Sequence, residues 1–333
     1  MKIVVIGLGS MGKRRVRLLC QIIEDLELYG IDGREDRCEE AIAAAAELGK
    51  TIQTYHSIDE VAKAAKIDAA VISTSPLSHN AIIHECLLNG WNVFTELNLV
   101  ADGYDENMAL AKEKNLLLYL SSTPMFRNET NYITRRVSQN SKPLSYIYHI
   151  GQYLPDWHPW ESYKDFFIGQ KKTNGCREIL AVELPWMERC FGKLKKVQAV
   201  SMRQTELDID FNDNYNILVT HESGHKGVLV VDVVCRKPVR YFEVYGEELY
   251  ITWDGSTKGL KELNLDNNEF EAVDLYSAVS HREGYNSFII ENAYEAELRD
   301  FFAALEGTKE PEYSFEKDKA ILAIIDEVEA CVD

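Results

Sequence analysis

The sequence lacks the features that mark membrane, secreted and nucleic-acid-binding proteins. No apolar run in its 333 residues approaches the ~20 residues of a membrane-spanning helix, and the apolar run at residues 1–7 is too short for a signal peptide. Its 36 lysines and arginines face 54 aspartates and glutamates, a net charge of −18 that argues against binding a phosphate backbone. We therefore expect a cytoplasmic protein with no membrane partner and no nucleic-acid partner.

The seven cysteines form no CxxC pair and no spacing typical of a zinc site. Their odd number and irregular spacing also argue against a disulfide framework, so we expect reduced thiols and no metal. Residues 221–225 match the HExxH zinc motif literally. They lie between two β-rich segments and contain Ser-Gly at their centre, which predicts a hairpin turn instead.

The length suggests about two domains at ~150 residues each, and 46% apolar residues are enough for real cores. Up to residue 121, short β-rich segments alternate with helical ones, a pattern typical of a parallel sheet covered on both faces. Longer strands joined by tight turns follow, which predicts an open, mainly antiparallel sheet. We predict an α/β protein with a doubly wound domain at residues 1–121 and a second domain at residues 122–333. The C-terminal helices could pack back on the first domain.

A glycine-rich turn follows the first predicted strand and opens a helix. The turn consists of Gly7, Leu8, Gly9, Ser10, Met11 and Gly12. It fits the dinucleotide fingerprint because Gly7 allows the tight turn, Gly9 lets the backbone approach a pyrophosphate, and Gly12 allows close helix packing. Ser10 and Met11 lie in this turn, just before the helix predicted at residues 13–24, whose free N–H groups can bind the anion. The alternative is an ordinary tight loop between a strand and a helix.

Asp32 ends the second predicted strand, twenty residues after Gly12, as the fingerprint requires. Its carboxylate can accept hydrogen bonds from the ribose hydroxyls and would repel a 2′-phosphate, which favours NAD. Arg34 could instead contact such a phosphate or stack on adenine, so NADP stays open. Cations also crowd the start of the helix after the glycine turn, where a bound anion would relieve their conflict with the macrodipole unless they point into water. They are Lys13, Arg14, Arg15 and Arg17.

Together with this turn, several segments make the chain resemble the Gfo/Idh/MocA oxidoreductases, the relatives of glucose–fructose oxidoreductase and inositol dehydrogenase. They are residues 72–79 (Ile-Ser-Thr-Ser-Pro-Leu-Ser-His), 90–96 (Gly-Trp-Asn-Val-Phe-Thr-Glu), 152–161 (Gln-Tyr-Leu-Pro-Asp-Trp-His-Pro-Trp-Glu), 294–307 and the final helix. The resemblance covers nearly the whole chain. It implies a Rossmann domain, a C-terminal α/β domain with a large open sheet, an NAD or NADP cofactor, and a sugar-like small-molecule substrate.

The resemblance also implies roles for particular residues. Glu96 would lie near the nicotinamide ribose, and a loop would lie against the cofactor through Thr74, Ser75, Pro76 and His79. A second loop is similar to the substrate loop of sugar-active members, which assigns to the substrate Trp157, Trp160, Tyr163 and Lys164. In the family the open sheet often mediates oligomers, so we expect a homodimer or homotetramer formed through the C-terminal sheet.

Two segments depart from the family pattern. Where the family usually has Glu-Lys-Pro, this chain has Glu96, then Leu97, then Asn98, and Leu97 cannot carry the proton that the lysine handles. The second segment precedes the pair Phe-Gly at residues 191–192. Alignment on that pair places Ile179 at the family's Asp and Val182 at its His, while the following Glu is retained at position 183.

Hydride transfer to or from a carbinol needs a group that moves the hydroxyl proton. Substitutes for this role are Glu178, Glu183, His158, Tyr163 and Lys164. A buried glutamate can have its pKa raised towards neutrality, although Glu178 and Glu183 could equally cap a helix or form salt bridges. His158 lies in a loop rich in tryptophan that suits stacking of a sugar ring, unless it is an ordinary surface histidine. We select Glu183, Glu178 and His158 as the candidate catalytic residues.

The sequence therefore predicts an NAD(P)-dependent oxidoreductase that acts on a sugar or sugar-derived metabolite by hydride transfer, with an altered catalytic site. The alternative is a non-catalytic dinucleotide-binding protein, a sensor or assembly partner that kept the cofactor cleft. Both hypotheses predict cofactor binding. The oxidoreductase hypothesis alone predicts a substrate-dependent change in nicotinamide absorbance.

Overall fold

The computed structural model describes residues 1–157, 161–281 and 288–331. These residues form two compact units. Unit 1 consists of residues 1–122 and 294–319, and unit 2 consists of the described residues within 123–293 and 320–333. Over the described ranges, no helix is both long enough and apolar enough to span a membrane.

Unit 1 contains a parallel six-stranded sheet. Its strands are β1 (Lys2–Ile6), β2 (Glu27–Ile31), β3 (Ile52–Tyr55), β4 (Ala69–Ile72), β5 (Asn92–Thr95) and β6 (Leu118–Leu120). The strand order is β3-β2-β1-β4-β5-β6, and each neighbouring pair is parallel. The order reverses between β1 and β4, which creates the crevice at the carboxyl ends of the strands where such sheets bind ligands. The predicted doubly wound sheet is confirmed.

Helices cover this sheet. They are α1 (Ser10–Ile22), α2 (Glu35–Ala46), α3 (Ile58–Ala64), α4 (His79–Leu88) and α5 (Tyr104–Lys114). Unit 1 also includes most of α8 (Glu291–Leu305) and the first turn of α9 (Phe315–Ala330). The α8 residue Phe301 packs edge-on against Phe94 of β5 and Tyr119 of β6, with ring centroids 5.4 and 5.5 Å away. The core of unit 1 therefore includes a helix that begins 171 positions after the end of β6.

Unit 2 contains a mixed eight-stranded sheet with α6 (Asn128–Ser138) and α7 (Gly175–Phe191). Its strands are β7 (Ser145–Gly151), β8 (Leu194–Met202), β9 (Asn214–His221), β10 (Lys226–Asp232), β11 (Val239–Tyr245), β12 (Tyr250–Trp253), β13 (Lys261–Asn264) and β14 (Glu269–Ala272). The order is β14-β13-β12-β11-β7-β10-β9-β8. Every neighbouring pair is antiparallel except β7 with β10, so the prediction of an open, mainly antiparallel sheet is confirmed.

The two faces of the unit 2 sheet differ in burial. Strand alternation places Tyr148 and Phe242 on the inner face, where both rings pack edge-on against Trp186 of α7. On the opposite face, which we call the outer face, large apolar side chains are exposed. They are Ile147, Val200, Met202, Leu218, Tyr241 and Tyr245.

The segment that matches HExxH is a hairpin turn, as its Ser-Gly centre predicts. It joins antiparallel β9 and β10, and Gly224 adopts a positive φ of 90° within it. The His221 ring is buried, with Nδ1 2.6 Å from the Gly192 carbonyl oxygen and Nε2 3.0 Å from the Tyr146 hydroxyl. These contacts are those of a core histidine that supports the sheet.

Candidate functional site

The glycine turn between β1 and α1 is closed by backbone contacts that exclude side chains. Gly7 has a φ of 87°, and a Cβ on it would lie 2.8 Å from the Ser73 carbonyl oxygen. A Cβ on Gly12 would lie only 1.8 Å from the Gly7 carbonyl oxygen. Since real Cβ atoms do not approach oxygens this closely, both positions require glycine for packing within the protein.

Gly9 differs from its two neighbours in the motif. Its φ of −68° suits any residue, and the nearest atom to a Cβ there is Arg37 Nη1 at 3.7 Å. Packing among the described residues therefore does not require glycine at this position. The missing side chain instead leaves the backbone open from outside, at the N-terminus of α1, where a pyrophosphate would approach.

No side chain among the described residues caps the N-terminus of α1. The first turn contains no acidic residue, and the N-cap residue Gly9 has no side chain to accept a hydrogen bond. Ser10 and Met11, the first two residues of the helix, are both partly exposed. The turn therefore fits an anionic group in shape and in charge.

Asp32 connects the glycine turn to the end of β2. Its Oδ2 accepts a hydrogen bond from Leu8 N at 2.8 Å, and its Oδ1 accepts one from Arg34 N at 3.0 Å. Each carboxylate oxygen keeps lone-pair capacity for a further donor, such as a ribose hydroxyl. The exposed guanidinium of Arg34 binds Asp36 through Nε at 3.0 Å. Arg37, which belongs to no sequence motif and was not predicted, places its Nη1 atom 3.6 Å from Asp32 Oδ2.

The cations at the start of α1 have separate partners within the protein and do not form one anion-binding cluster. The alternative, that these side chains point into water, is wrong for Arg15. The Arg15 side chain is fully buried, with Nε 2.6 Å from Glu96 Oε1 and Nη2 2.7 Å from Glu297 Oε2. Burial opposes its charge, but the two carboxylates outweigh that effect and raise its pKa. Lys13 forms an ion pair with Glu40. The Arg14 guanidinium lies 4.5 Å from the ring centre of Tyr294.

Glu96 lies directly after β5, at the carboxyl edge of the sheet. Its two carboxylate oxygens bind Arg15 at 2.6 and 3.1 Å, and Ser73 Oγ lies 3.5 Å from Oε1. The Glu96 side chain is 13% exposed, so it keeps a surface towards the crevice end of the strands. Arg15 holds this carboxylate and also pairs with Glu297. Neither residue belongs to a recognisable motif, and they are 282 positions apart.

The loop after β4 covers the glycine turn. A Cβ on Gly7 would lie 2.7 Å from Thr74 Cγ2, so the loop packs directly on the turn. Ser75 is exposed, and Pro76 begins a short 3-10 turn. The His79 ring is buried, with Nδ1 2.6 Å from Asn98 Oδ1 and Nε2 3.0 Å from the Thr74 carbonyl oxygen. Its place is beneath the loop, which it supports, and burial lowers its pKa.

Glu183 of α7 is fully buried in unit 2. Its Oε2 accepts hydrogen bonds from Tyr148 Oη and Trp186 Nε1, each at 2.7 Å, and its Oε1 lies 2.7 Å from Arg240 Nη1. The structure thus gives Glu183 the salt-bridging role that was the alternative to catalysis. Its side chain has no exposed surface, and its catalytic role stays a prediction.

Glu178 occupies the first turn of the same helix and has a different environment. Its Oε2 is buried and has no hydrogen-bond partner among the described residues. Burial raises its pKa to about 8. Glu178 and Val182 are partly exposed and one helical turn apart, while most of α7 around them is buried. This titratable carboxyl therefore shares a helix face with the residue at the family's His position.

The predicted substrate residues are described in part. His158 and Trp160 lie outside the described residues. Trp157 packs at the start of α7, since a Cβ on Gly175 would lie 3.3 Å from Trp157 Cζ3. Tyr163 and Lys164 both contact Asp208. Tyr163 Oη accepts a hydrogen bond from Asp208 N at 3.2 Å, and Lys164 Nζ binds its carboxylate at 2.6 Å.

The fold and the glycine turn together define a dinucleotide-binding Rossmann domain with a second α/β unit. Residues 1–121 match the Gfo/Idh/MocA family, described as an oxidoreductase family with an NAD-binding Rossmann fold. This segment is therefore similar to the NAD-binding Rossmann domain of that family, as the sequence motifs indicated. No curated protein sequence matches the chain.

Solved structures share the fold over nearly the full length. UDP-N-acetylglucosamine 3-dehydrogenase GnnA from Acidithiobacillus ferrooxidans is 19% identical, with 100% of this chain and 97% of that chain covered and a TM-score of 0.72. An oxidoreductase from Agrobacterium radiobacter, in complex with NAD+, L-tartaric acid and magnesium, is 12% identical, with 99% and 96% covered and a TM-score of 0.82. A myo-inositol dehydrogenase from Corynebacterium glutamicum is 17% identical, with 98% and 95% covered and a TM-score of 0.76. At these identities the similarity establishes the shared fold.

Proposed function

We propose that the protein is an NAD(P)-dependent oxidoreductase that transfers a hydride to or from a sugar or sugar-derived metabolite. The observation that carries the proposal is Gly9, a glycine that the protein's own packing does not require, at the N-terminus of α1. Its open backbone lies beside Asp32, and both belong to the domain that matches an NAD-binding oxidoreductase family. The bound dinucleotide would supply the hydride acceptor or donor.

Different residues of the chain would bind the different parts of the cofactor. The backbone at Gly9, Ser10 and Met11 would bind the pyrophosphate, because the N-terminus of α1 carries no compensating acid. Asp32 would accept the adenosine ribose hydroxyls, which favours NAD over NADP. Glu96, held by Arg15, would face the nicotinamide ribose.

A sugar-like substrate is supported by an aromatic side chain and by the activities for which similar structures are named. Trp157 packs at the start of α7, and a tryptophan face suits the apolar side of a sugar ring. Similar structures include the UDP-N-acetylglucosamine 3-dehydrogenase, the myo-inositol dehydrogenase and GenD2 from gentamicin A biosynthesis. Trp160, Tyr163 and Lys164 remain predicted substrate contacts.

We assign proton transfer to Glu178, because the usual groups are absent and Glu183 is fully engaged. Leu97 and Val182 occupy the positions at which the family carries its Lys and His. Glu178 shares a helix face with Val182, and its pKa of about 8 keeps it protonated at neutral pH. It could therefore donate a proton to a carbonyl that is being reduced, or accept one above its pKa. His158 remains the second candidate.

The alternative is a non-catalytic dinucleotide-binding sensor or assembly protein. It is favoured by Leu97 and Val182, which stand at the positions of the usual Lys and His. Leu97 and Val182 carry no proton, and the retained acid Glu183 has become a core residue. This alternative keeps every cofactor contact named above. It differs from the oxidoreductase proposal only in turnover.

We further propose a cytoplasmic homodimer or homotetramer that assembles through the outer face. All seven cysteines are free, which fits a reducing compartment. Leu218 is 57% exposed and Val200 is 49% exposed on the outer face, and exposed apolar patches mark interaction sites. Sedimentation of the wild type and of Leu218→Glu tests this proposal. A monomeric wild type would overturn it, and an oligomer lost in the variant would support it.

The test of function is a panel of sugars, cyclitols and sugar nucleotides, offered with each oxidised and each reduced coenzyme. Substrate-dependent change in nicotinamide absorbance, reduced at least ~100-fold in Glu178→Gln with dinucleotide affinity unchanged, would support the oxidoreductase and its proton donor. Tight dinucleotide binding without turnover on any compound would favour the non-catalytic alternative. Failure to bind either coenzyme would overturn both.

A further inference from the structure

Three side chains that can bind a metal ion meet in unit 2, where β7 and β10 end side by side. They are His149 on β7, Asp232 at the end of β10, and Cys235 just beyond it. One ligand atom from each lies within 4.8 Å of the other two, and His149 Nε2 is 2.7 Å from Asp232 Oδ2. The sequence offers no sign of this cluster, because His149 and Asp232 are 83 positions apart.

The backbone around the cluster fixes the carboxylate. The parallel register places Gly151 beside Asp232, and a Cβ on Gly151 would lie 2.6 Å from Asp232 Oδ2. Glycine therefore provides the space that the carboxylate occupies. Asp232 Oδ1 accepts hydrogen bonds from the N–H groups of Val234 and Cys235 at 3.0 and 2.8 Å. These bonds leave Oδ2 directed at the imidazole.

The cluster is buried on one side and open on the other. The Asp232 side chain is 3% exposed, whereas the His149 side chain is 33% exposed, and Cys235 is also partly exposed. An ion from solvent could therefore reach all three ligand atoms without opening the core. One coordination position would still face water.

The donor set selects the kind of ion. One imidazole nitrogen, one thiol sulfur and one carboxylate oxygen suit Zn²⁺, whereas Mg²⁺ and Ca²⁺ prefer oxygen ligands throughout. We propose that His149 Nε2, Asp232 Oδ2 and Cys235 Sγ form a zinc site whose fourth ligand is water. This site is separate from the dinucleotide turn, and the proposal does not depend on the function proposed above.

Metal binding would require small movements and the loss of one proton. Two ligands of a tetrahedral zinc ion stand about 3.3 Å apart, so Nε2 and Oδ2 would separate by ~0.6 Å. The imidazole proton would move from Nε2 to Nδ1. Burial and the adjacent Asp232 raise the pKa of the Cys235 thiol, so its proton would be released to solvent as the sulfur–zinc bond forms.

The site would stabilise the start of the predicted substrate loop. Gln152 N donates to the Asp232 carbonyl oxygen at 3.2 Å, and Leu154 N donates to the Val233 carbonyl oxygen at 3.0 Å. The turn that carries two of the ligands therefore also binds the segment that leads to Trp157. An ion bound to this turn would therefore stabilise the turn and the segment that leads to Trp157. Its role would be structural.

Cobalt(II) is the probe, because a thiolate–cobalt bond gives a charge-transfer band that zinc does not. The chelator-treated full-length protein is titrated with Co²⁺, and Zn²⁺ is then added in competition. We expect about one equivalent to bind with a charge-transfer band, and we expect zinc to displace it. Cys235→Ser should lose the band, and His149→Gln should weaken binding at least ~10-fold.

Cys331→Ser is the matched control, since Cys331 is also a partly exposed thiol of unit 2 but lies outside the cluster. It should bind like the wild type. Circular dichroism of each variant verifies that folding is unchanged. Absence of the band in the wild type, or its persistence in Cys235→Ser, would overturn the proposal and leave a hydrogen-bonded cluster without metal.

Discussion

The glycine turn of unit 1 and helix α7 of unit 2 carry the two parts of the family's motif set, and they retain it to different extents. At the turn, Gly7, Gly9, Gly12 and Asp32 stand where the fingerprint requires them, with the geometry that it implies. On α7, alignment on Phe191 and Gly192 places Val182 at the position where the family that the chain resembles has its His. At Gly7 and Gly12 the backbone geometry of the turn permits only glycine. The role of a side chain on α7 depends instead on the groups that surround it, so substitutions there can preserve the helix.

A second comparison lies within α7 itself. Glu178 and Glu183 are five positions apart and have opposite environments. Glu183 has an ion pair and two hydrogen bonds from neighbouring side chains, whereas the buried Oε2 of Glu178 has no hydrogen-bond partner among the described residues. Residue type is identical, so the difference arises entirely from what each carboxylate contacts.

The largest expected effect is that of Gly12→Ala. The added Cβ would stand 1.8 Å from the Gly7 carbonyl oxygen, so the turn must break. We expect a loss of more than ~4 kcal/mol in the free energy of unfolding, measured by urea denaturation. Dinucleotide binding, measured by NADH fluorescence, should be lost with it.

Gly9→Ala is the matched control for that change. Its Cβ would meet Arg37 only at 3.7 Å, so stability should stay within ~0.5 kcal/mol of the wild type. Dinucleotide affinity should nevertheless fall at least ~10-fold, because the methyl group occupies the approach of the pyrophosphate. Wild-type affinity in this variant would contradict the proposed binding mode.

Glu183→Gln tests the structural member of the α7 pair. The substitution leaves the Arg240 guanidinium without its carboxylate in a buried setting, which should destabilise the protein by about 3 kcal/mol. Chemical denaturation at pH 7 measures the change. A neutral result would mean that the ion pair does not stabilise unit 2.

Glu178→Gln should behave in the opposite way and depend on pH. The unfolded chain releases the Glu178 proton near pH 4.5, whereas the folded protein keeps it until about pH 8. Wild-type stability contributed by this group therefore falls as pH rises between these values, and glutamine removes the fall. The variant should gain about 2 kcal/mol on the wild type between pH 5 and pH 9, a value reduced for partial exposure. A pH-independent difference would contradict the raised pKa.

The smallest effect concerns coenzyme choice at Asp32. Asp32→Asn removes the charge that repels a 2′-phosphate, and Arg34 and the nearby Arg37 could then attract one. We expect the ratio of NADP to NAD affinity to rise about 10-fold, or ~1.4 kcal/mol, in parallel titrations. An unchanged ratio would mean that Asp32 serves only to hold the turn.

Much of the fold is predictable because it depends on local patterns. The alternation of β-rich and helical segments up to residue 121 predicts the parallel sheet of unit 1 and the helices that cover it. The sequence predicts this helix from residue 13, after the glycine turn, whereas α1 begins at Ser10 inside the turn, because Gly9 itself serves as the N-cap. The strands β13 and β14 are only four residues long and contain no buried residue, so no apolar run in the sequence predicts them.

The site was predictable to a different degree in each unit. The glycine turn and Asp32 were found because spacing along the chain encodes their geometry. Arg15 was misjudged because its partner Glu297 comes from α8, and no pattern in sequence connects them. Arg240, the partner of Glu183, was missed for the same reason.

By itself the sequence determines the features that depend on the backbone of one segment. These are the glycine turn, the alternating strands and the hairpin at residues 221–225, each set by which residues tolerate a given conformation. Tertiary structure alone decides how Glu178 and Glu183 differ, and it brings His149, Asp232 and Cys235 together. The physical reason is that charge pairing, desolvation and ligand geometry depend on distance and burial in space, which the fold creates from residues far apart in sequence.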